Sequence, residues 1–338
     1  MRAVRWHARD DVRLDEVPVP VPTDTEVLIR IEGVGICGTD VDEVRHGPIT
    51  VPVAPHPVNG RSAPITLGHE MVGIVTEAGA RSGAAVGARV APWPSAPCGR
   101  CPDCVAGHAN RCPLTVALGM SADGGMADFL VADGRRCVPV GPDVELDRAV
   151  LVEPFAVALH GVHQADIAGA RVAVVGIGSL GLCVVEAAVL AGAAEIVAVS
   201  RSDAARQAAL ETGATAALPL DRAGEVDADV AFETAGAAAA IDGSFAAVRR
   251  GGRIVVLGGH PDATPMGLLD LVIREIVLQG SVSHCLADFA TAAELITSGE
   301  LARTRRPAEL APLESGPALL RSDAAQTKRI LVPDLRPR

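Results

Sequence analysis

Residues 171 to 192, RVAVVGIGSLGLCVVEAAVLAG, constrain this chain more than any other stretch. RVAVV reads as a buried strand and SLGLCVVEAAVLAG as a helix, with Gly176, Gly178 and Gly181 set between and into them as G-x-G-x-x-G. In a strand-turn-helix unit each glycine meets a physical demand. One makes the tight turn, one lets the backbone approach a pyrophosphate, and one lets helix pack closely on strand, while the phosphates meet the helix N-terminus. Gly176, Gly178, Ser179, Leu180 and Gly181 are therefore candidate dinucleotide contacts.

The chain around this unit agrees with it. EIVAVS (195 to 200) reads as a strand, DAARQAALETG (203 to 213) as a helix ending in glycine, and DVAFETAG (229 to 236) as a strand. A helical stretch to about 249, then RIVVLGG (253 to 259) and EIVLQGSV (275 to 282), continue the alternation, which predicts a doubly wound parallel sheet. ADFATAAELITSG (287 to 299) predicts a helix with Asp288 at its cap and Gly299 at its stop, and KRILVPD (328 to 334) a closing strand. Before about residue 150 the texture differs. Short alternating segments such as EVLIRIEGVGIC (26 to 37), broken by PVPVP and GPITVPVAPHP, predict an all-β, loop-rich domain.

A length of 338 residues with 49% hydrophobic content supports two domains, each with its own core. The net charge of −11 repels phosphate backbones and anionic lipid, which argues against nucleic-acid and membrane partners. MRAVRWHARDD lacks the apolar core of a signal peptide, and no apolar run approaches the roughly 18 residues of a membrane span, so a cytoplasmic location is expected.

About twenty residues beyond the glycine turn, an NAD-binding chain carries an acid that bonds the adenosine ribose 2′-hydroxyl. AVSRSD places Ser200 there, followed by Arg201 and Ser202. A small hydroxyl leaves room for a 2′-phosphate and the guanidinium can fork onto it, so NADP(H) is expected in preference to NAD(H). A solvated arginine beside an indifferent serine is the plainer alternative.

PCGRCPDCVAGHANRC sets Cys98, Cys101, Cys104 and Cys112 at C-x2-C-x2-C-x7-C. Four thiolates so spaced can surround one tetrahedral Zn2+ and pin a proline-rich loop that could not pack alone. With four protein ligands such a site is closed and structural, an iron–sulfur cluster or stray thiols being the alternatives. Cys137, Cys183 and Cys285 stand apart from any ligand spacing and read as small apolar residues.

ICGTD (36 to 40), TLGHE (66 to 70) and LVEPFAVALH (151 to 160) contribute Cys37, His69, Glu70 and Glu153. With the four-cysteine loop and the dinucleotide unit, this combination resembles the zinc-dependent medium-chain dehydrogenases over essentially the whole chain. CGTD, the insertion GPITVPVAPHPVNGRSAPITLGHE and VEPFAVALH are most similar to the butanediol and sorbitol dehydrogenase branch. The resemblance implies a GroES-like β-rich catalytic domain over 1–153 and 285–338, and a Rossmann dinucleotide-binding domain over 154–284. It further implies a second, catalytic Zn2+ on Cys37 and His69 with a carboxylate from either Glu70 or Glu153, leaving one position open for water or substrate oxygen. Zinc then acts as Lewis acid while hydride passes between the substrate carbon and the nicotinamide. By the same likeness Thr39 bonds the substrate oxygen and begins a proton path. Thr234, Leu257, Gly258 and Ser283 would meet the carboxamide end of the nicotinamide, and a homodimer or homotetramer is expected.

The chain departs from that branch in three places. The branch usually places histidine where Asp42 stands, and an aspartate with a reference pKa near ~3.9 is poorly matched to neutral proton transfer unless burial raises it. Ser200 replaces the acid of the NAD-using members, whereas Arg206 is common in either case. His284, Trp93 and the stretch LARTRRPAELAPLESGPALLRSDAAQ match loosely, the first two being candidate pocket walls or core residues. The expected activity is hydride transfer between NADP(H) and a small secondary alcohol or ketone of diol, polyol, sugar or cyclitol type. An internal redox step such as epimerisation, aldehyde oxidation, and a non-catalytic binding role are the alternatives.

Overall fold

A computed structural model describes residues 1–260, 263–301, 308–322 and 328–334. These residues form two compact units. One comprises Met1–Glu153, Cys285–Glu300 and the closing segment that follows residue 307, and the other is built on Pro154–His284.

In the first unit the strand Glu26–Gly35 is central. It pairs antiparallel with Glu70–Ala78, Phe129–Asp133 and Arg329–Val332 within a seven-stranded sheet, which explains why seven of its ten residues are buried. Ile29, Ile31, Ile65, Leu67 and Met71 lead its apolar core, joined by Trp6 from a smaller three-stranded sheet. The register sets Gly35 opposite both Glu70 and Ile330, so residues 36–40, Glu70 and the residues just before Arg329 converge at one sheet end. Residues 1–150 are not all β. The chain leaves Gly35 and turns at Cys37 into the helix Gly38–His46, because Asp40 folds back to accept the Cys37 N–H at 2.9 Å and closes a capping box.

The second unit holds a six-stranded, fully parallel sheet in the order Ala216–Leu218, Glu195–Val199, Arg171–Val175, Ala228–Glu233, Val248–Val256 and Val277–Gly280. Numbered along the chain this order is 3-2-1-4-5-6. It reverses beside Arg171–Val175, and right-handed crossovers then place helices on both faces, with the switch point at the end of that strand. Val175, Val197, Val199, Phe245 and Ile254 belong to its core. The helix expected to reach about residue 249 stops at Ala247, and Val248 already pairs with Ala228, which lengthens the following strand at its start.

One cap differs from expectation. The helix Leu286–Ser298 is capped by Cys285, and Asp288 is the third helical residue, reaching back to accept the Cys285 N–H at 3.0 Å. Aspartate serves either position of a capping box, so sequence pattern alone does not separate them. Gly299, in the left-handed conformation, ends the helix as expected. Part of the loosely matching C-terminal stretch, residues 302–307 and 323–326, lies outside the described residues.

Candidate functional site

Cys37, His69 and Glu70 bring a thiol, an imidazole nitrogen and a carboxylate oxygen to within 4.8 Å of one another, with His69 3% and Glu70 1% exposed. Cys37 arrives as the helix cap, and the other two enter at the start of the strand Glu70–Ala78. Asp40, 2% exposed, is the organiser the sequence did not single out. One of its oxygens takes the Cys37 N–H, while the other accepts the Gly68 N–H at 3.3 Å and lies 3.6 Å from His69 Nδ1.

The donor set suits a cation. His69 turns Nδ1 toward the Asp40 carboxylate, which leaves Nε2 as the ring nitrogen for a metal. Burial works against a charged ring, yet Asp40 and Cys37 beside it hold His69 well above the ordinary histidine range. The same negative surroundings favour a divalent ion.

A second buried group shapes the site. Lys328, just before the closing strand, pairs with Glu70 Oε2, the two side chains being 4% and 2% exposed, and donates to the Ile36 carbonyl at 3.1 Å. Burial opposes its ammonium, but Glu70, Cys37 and Glu153 together raise its pKa above the usual lysine value. Gly35 makes the room, since a Cβ there would stand 2.3 Å from Glu70 Oε2 and 2.6 Å from Lys328 Cε. Lys328 is the only lysine in the sequence, a signal that could have marked it. Glu153 lies in the first turn of the helix Val152–Val162, and its charge reaches Glu70 and Lys328, although it stands outside the three-donor set.

Thr39, half-buried in the first turn of Gly38–His46, has its Oγ1 3.7 Å from Cys37 Sγ. Asp42, one turn further along, is half-buried, and burial pushes its carboxyl above the ordinary aspartate value against the opposing charges of His46 and Arg45. Trp93 is 5% exposed with the Arg136 guanidinium 6.0 Å from its ring centre, and His284 is fully buried, so both are packed side chains.

Cys98, Cys101, Cys104 and Cys112 also gather their sulfurs within 4.8 Å. The loop is closed at its base by pairing of Ser95–Ala96 with Val116–Ala117. Backbone N–H groups point at the sulfurs: Cys98 N to Cys112 Sγ and Cys101 N to Cys98 Sγ at 3.3 Å, and Cys104 N to Cys101 Sγ at 3.5 Å. Against the effect of burial, such donors pull Cys112 down to about 6, the thiolate form that a metal needs. Cys285 caps a helix, Cys183 is buried in one, and Cys137 is part-buried in a strand.

In the second unit Gly176 ends its strand at φ +99°, and Gly178 caps the helix Ser179–Leu190 without any side-chain bond, leaving the first helical N–H groups available. Gly181 must lack a side chain, since a Cβ would stand 2.1 Å from the Gly176 carbonyl. The Thr234 hydroxyl donates to that same carbonyl. Ser200 follows the neighbouring strand, Arg201 is exposed beside it, and Ser202 caps the helix Asp203–Thr212 by accepting from Ala205 N at 3.3 Å. Arg206 is engaged locally, donating to the Ser200 carbonyl at 2.6 Å and pairing with Asp203. Leu257 and Gly258 give their backbone N–H groups to the Glu233 carbonyl, and Ser283 sits at φ +53°.

The chain matches two family models, an alcohol dehydrogenase GroES-like domain over residues 23–142 and a zinc-binding dehydrogenase over residues 179–298. It is 31% identical over 300 residues to the (R,R)-butanediol dehydrogenase of Bacillus subtilis, covering 84% of this chain and 85% of that one. To the sorbitol dehydrogenase of the same bacterium it is 32% identical over 294 residues, covering 83% and 81%. A solved structure from Sinorhizobium meliloti, described as a zinc-binding dehydrogenase bound to NADP, superposes with a TM-score of 0.87 at 30% identity, covering 98% of this chain and 99% of that one.

Proposed function

The chain belongs to the zinc-dependent medium-chain dehydrogenases, in the branch similar to butanediol and sorbitol dehydrogenases, and on that premise we propose that it moves hydride between NADP(H) and a small polyhydroxylated secondary alcohol or its ketone. The observation that carries the proposal is the Cys37–His69–Glu70 donor set, part-buried at the cysteine and buried at the other two, with Thr39 beside it. A binding-only member of the fold has no need of such a set.

When bound, zinc supplies a Lewis acid for an alcohol or carbonyl oxygen and the nicotinamide supplies or takes the hydride. Cys37, His69 and Glu70 would hold the metal, leaving a fourth position open, with Asp40 orienting His69 and Lys328 fixing the Glu70 carboxylate. Glu153 would serve as nearby carboxylate rather than as third ligand. The Thr39 hydroxyl exchanges a proton with the substrate oxygen, and Asp42, raised by burial, is the next acceptor toward solvent. A second zinc on Cys98, Cys101, Cys104 and Cys112 would hold the loop.

The Gly176–Gly181 turn would hold the dinucleotide, with Thr234, Leu257, Gly258 and Ser283 toward its nicotinamide end. Ser200 and the exposed Arg201 would take the 2′-phosphate, a reading supported by the NADP in the Sinorhizobium meliloti relative. Homologues named for butanediol, sorbitol and D-xylulose support a diol or polyol as substrate. Self-association is supported by Leu268, Leu269, Val272 and Ile273, all more than half exposed on one short helix.

Thermal unfolding of the zinc-loaded protein with NADPH or NADH tests the proposal without a known substrate. Stabilisation by NADPH well beyond that by NADH is expected. Stabilisation by neither would contradict it.

A further inference from the structure

Glu233 ends the strand Ala228–Glu233 and is fully buried. Its Oε1 accepts the backbone N–H groups of Ala235 and Gly236, both at 2.8 Å, and its Oε2 lies 3.1 Å from His260 Nε2. The imidazole is itself held, with Nδ1 3.2 Å from Thr264 Oγ1. A carboxylate only accepts, so Nε2 carries the proton of this bond, while Nδ1 faces a hydroxyl that can serve as either partner.

Glu233 joins the ends of two strands. Its carbonyl takes the N–H groups of Leu257 and Gly258, at 2.8 and 3.1 Å, beyond the strand Val248–Val256. The turn that its Oε1 holds is the one on which the dinucleotide turn rests. Thr234 donates to the Gly176 carbonyl, and a Cβ on Gly176 would stand 2.5 Å from that of Ala235.

We propose that His260 is a positioning residue for dinucleotide binding. By donating to Glu233 Oε2 it fixes the carboxylate that shapes the Thr234–Gly236 turn, and through Thr234 the turn at Gly176. Without that donor one oxygen of a buried carboxylate loses its partner, and the carboxylate reorients at the expense of the Ala235 and Gly236 bonds. The inference rests on the dinucleotide reading given above.

The test compares His260→Ala and His260→Gln with the parent in NADPH titrations, alongside zinc content and, with an alcohol that is turned over, KM and kcat. His260→Ala is expected to weaken NADPH binding on the order of tenfold, as loss of an orienting outer partner does elsewhere, with zinc content and kcat little changed. His260→Gln, which keeps an N–H donor, is expected to recover most of the affinity. Equal affinity of parent and His260→Ala, or His260→Gln as weak as His260→Ala, would overturn the role. If His260→Ala does not fold, His260→Met, which fills the space without a donor, takes its place in the same comparison with His260→Gln. A parent that binds neither NADPH nor NADH would instead remove the dinucleotide reading on which the inference stands.

Discussion

The ammonium of Lys328 and the carboxylate of Glu70 form a buried ion pair beside the Cys37–His69–Glu70 donor set, reached from opposite ends of the sequence and seated against the bare backbone of Gly35. Removing one charge of such a pair leaves the other without compensation, which costs about 3–5 kcal/mol. In the metal-free protein Lys328→Met should lower the unfolding free energy in urea by that amount, and adding Glu70→Gln should restore most of it. A loss within the range of an exposed pair, under about 1 kcal/mol, would mean that water reaches Glu70.

Gly35→Ala sets a methyl group 2.3 Å from Glu70 Oε2, closer than any relaxed contact. The pair must move, at a cost of roughly 1–3 kcal/mol. With the two zinc ions per chain proposed above, occupancy should fall toward one, the four-cysteine ion being retained. Elemental analysis after dialysis against a weak chelator checks this, and unchanged occupancy would separate the pair from the metal site.

Asp42 carries a pH signature. Burial raises its folded pKa above the unfolded value, so the folded state holds its proton more tightly and stability falls as pH rises from the unfolded pKa through the folded one. Asp42→Asn should therefore unfold at a higher temperature than the parent at neutral pH, and the difference should vanish below the ordinary carboxylate range. Thermal scans across pH would show it. A constant difference at every pH would mean that the amide acts through packing.

Arg201 should discriminate the cofactors. Loss of a charge-assisted bond worth about 1.5–3 kcal/mol predicts that Arg201→Ala weakens NADPH binding roughly 10–150-fold while leaving NADH unchanged. Equal weakening of both would assign Arg201 a general electrostatic role.

Features whose residues are contiguous were legible in the sequence. The glycine turn and the four cysteines lie within 176–181 and 98–112, where local spacing dictates geometry. Cys37, His69 and Glu70 needed family likeness, because only the pairing of Gly35 with Glu70 brings them together. Lys328 and Asp40 escaped notice for the same reason: their meaning lies in long-range register and in a helix cap inside a segment read as β. The Glu233–His260 contact was equally hidden, since it joins the ends of adjacent parallel strands. Asp288 shows the opposite failure, where a local rule was right about the motif and wrong about the position.

Hydride transfer itself is read as alcohol-dependent formation of NADPH by the zinc-loaded protein, measured across a panel of secondary diols and polyols. Turnover with NADP+ is expected to be well above that with NAD+, and to be abolished by Cys37→Ser while the four-cysteine zinc stays bound. Turnover that survives Cys37→Ser, or no reduction of either cofactor with any member of the panel, would contradict zinc-dependent hydride transfer.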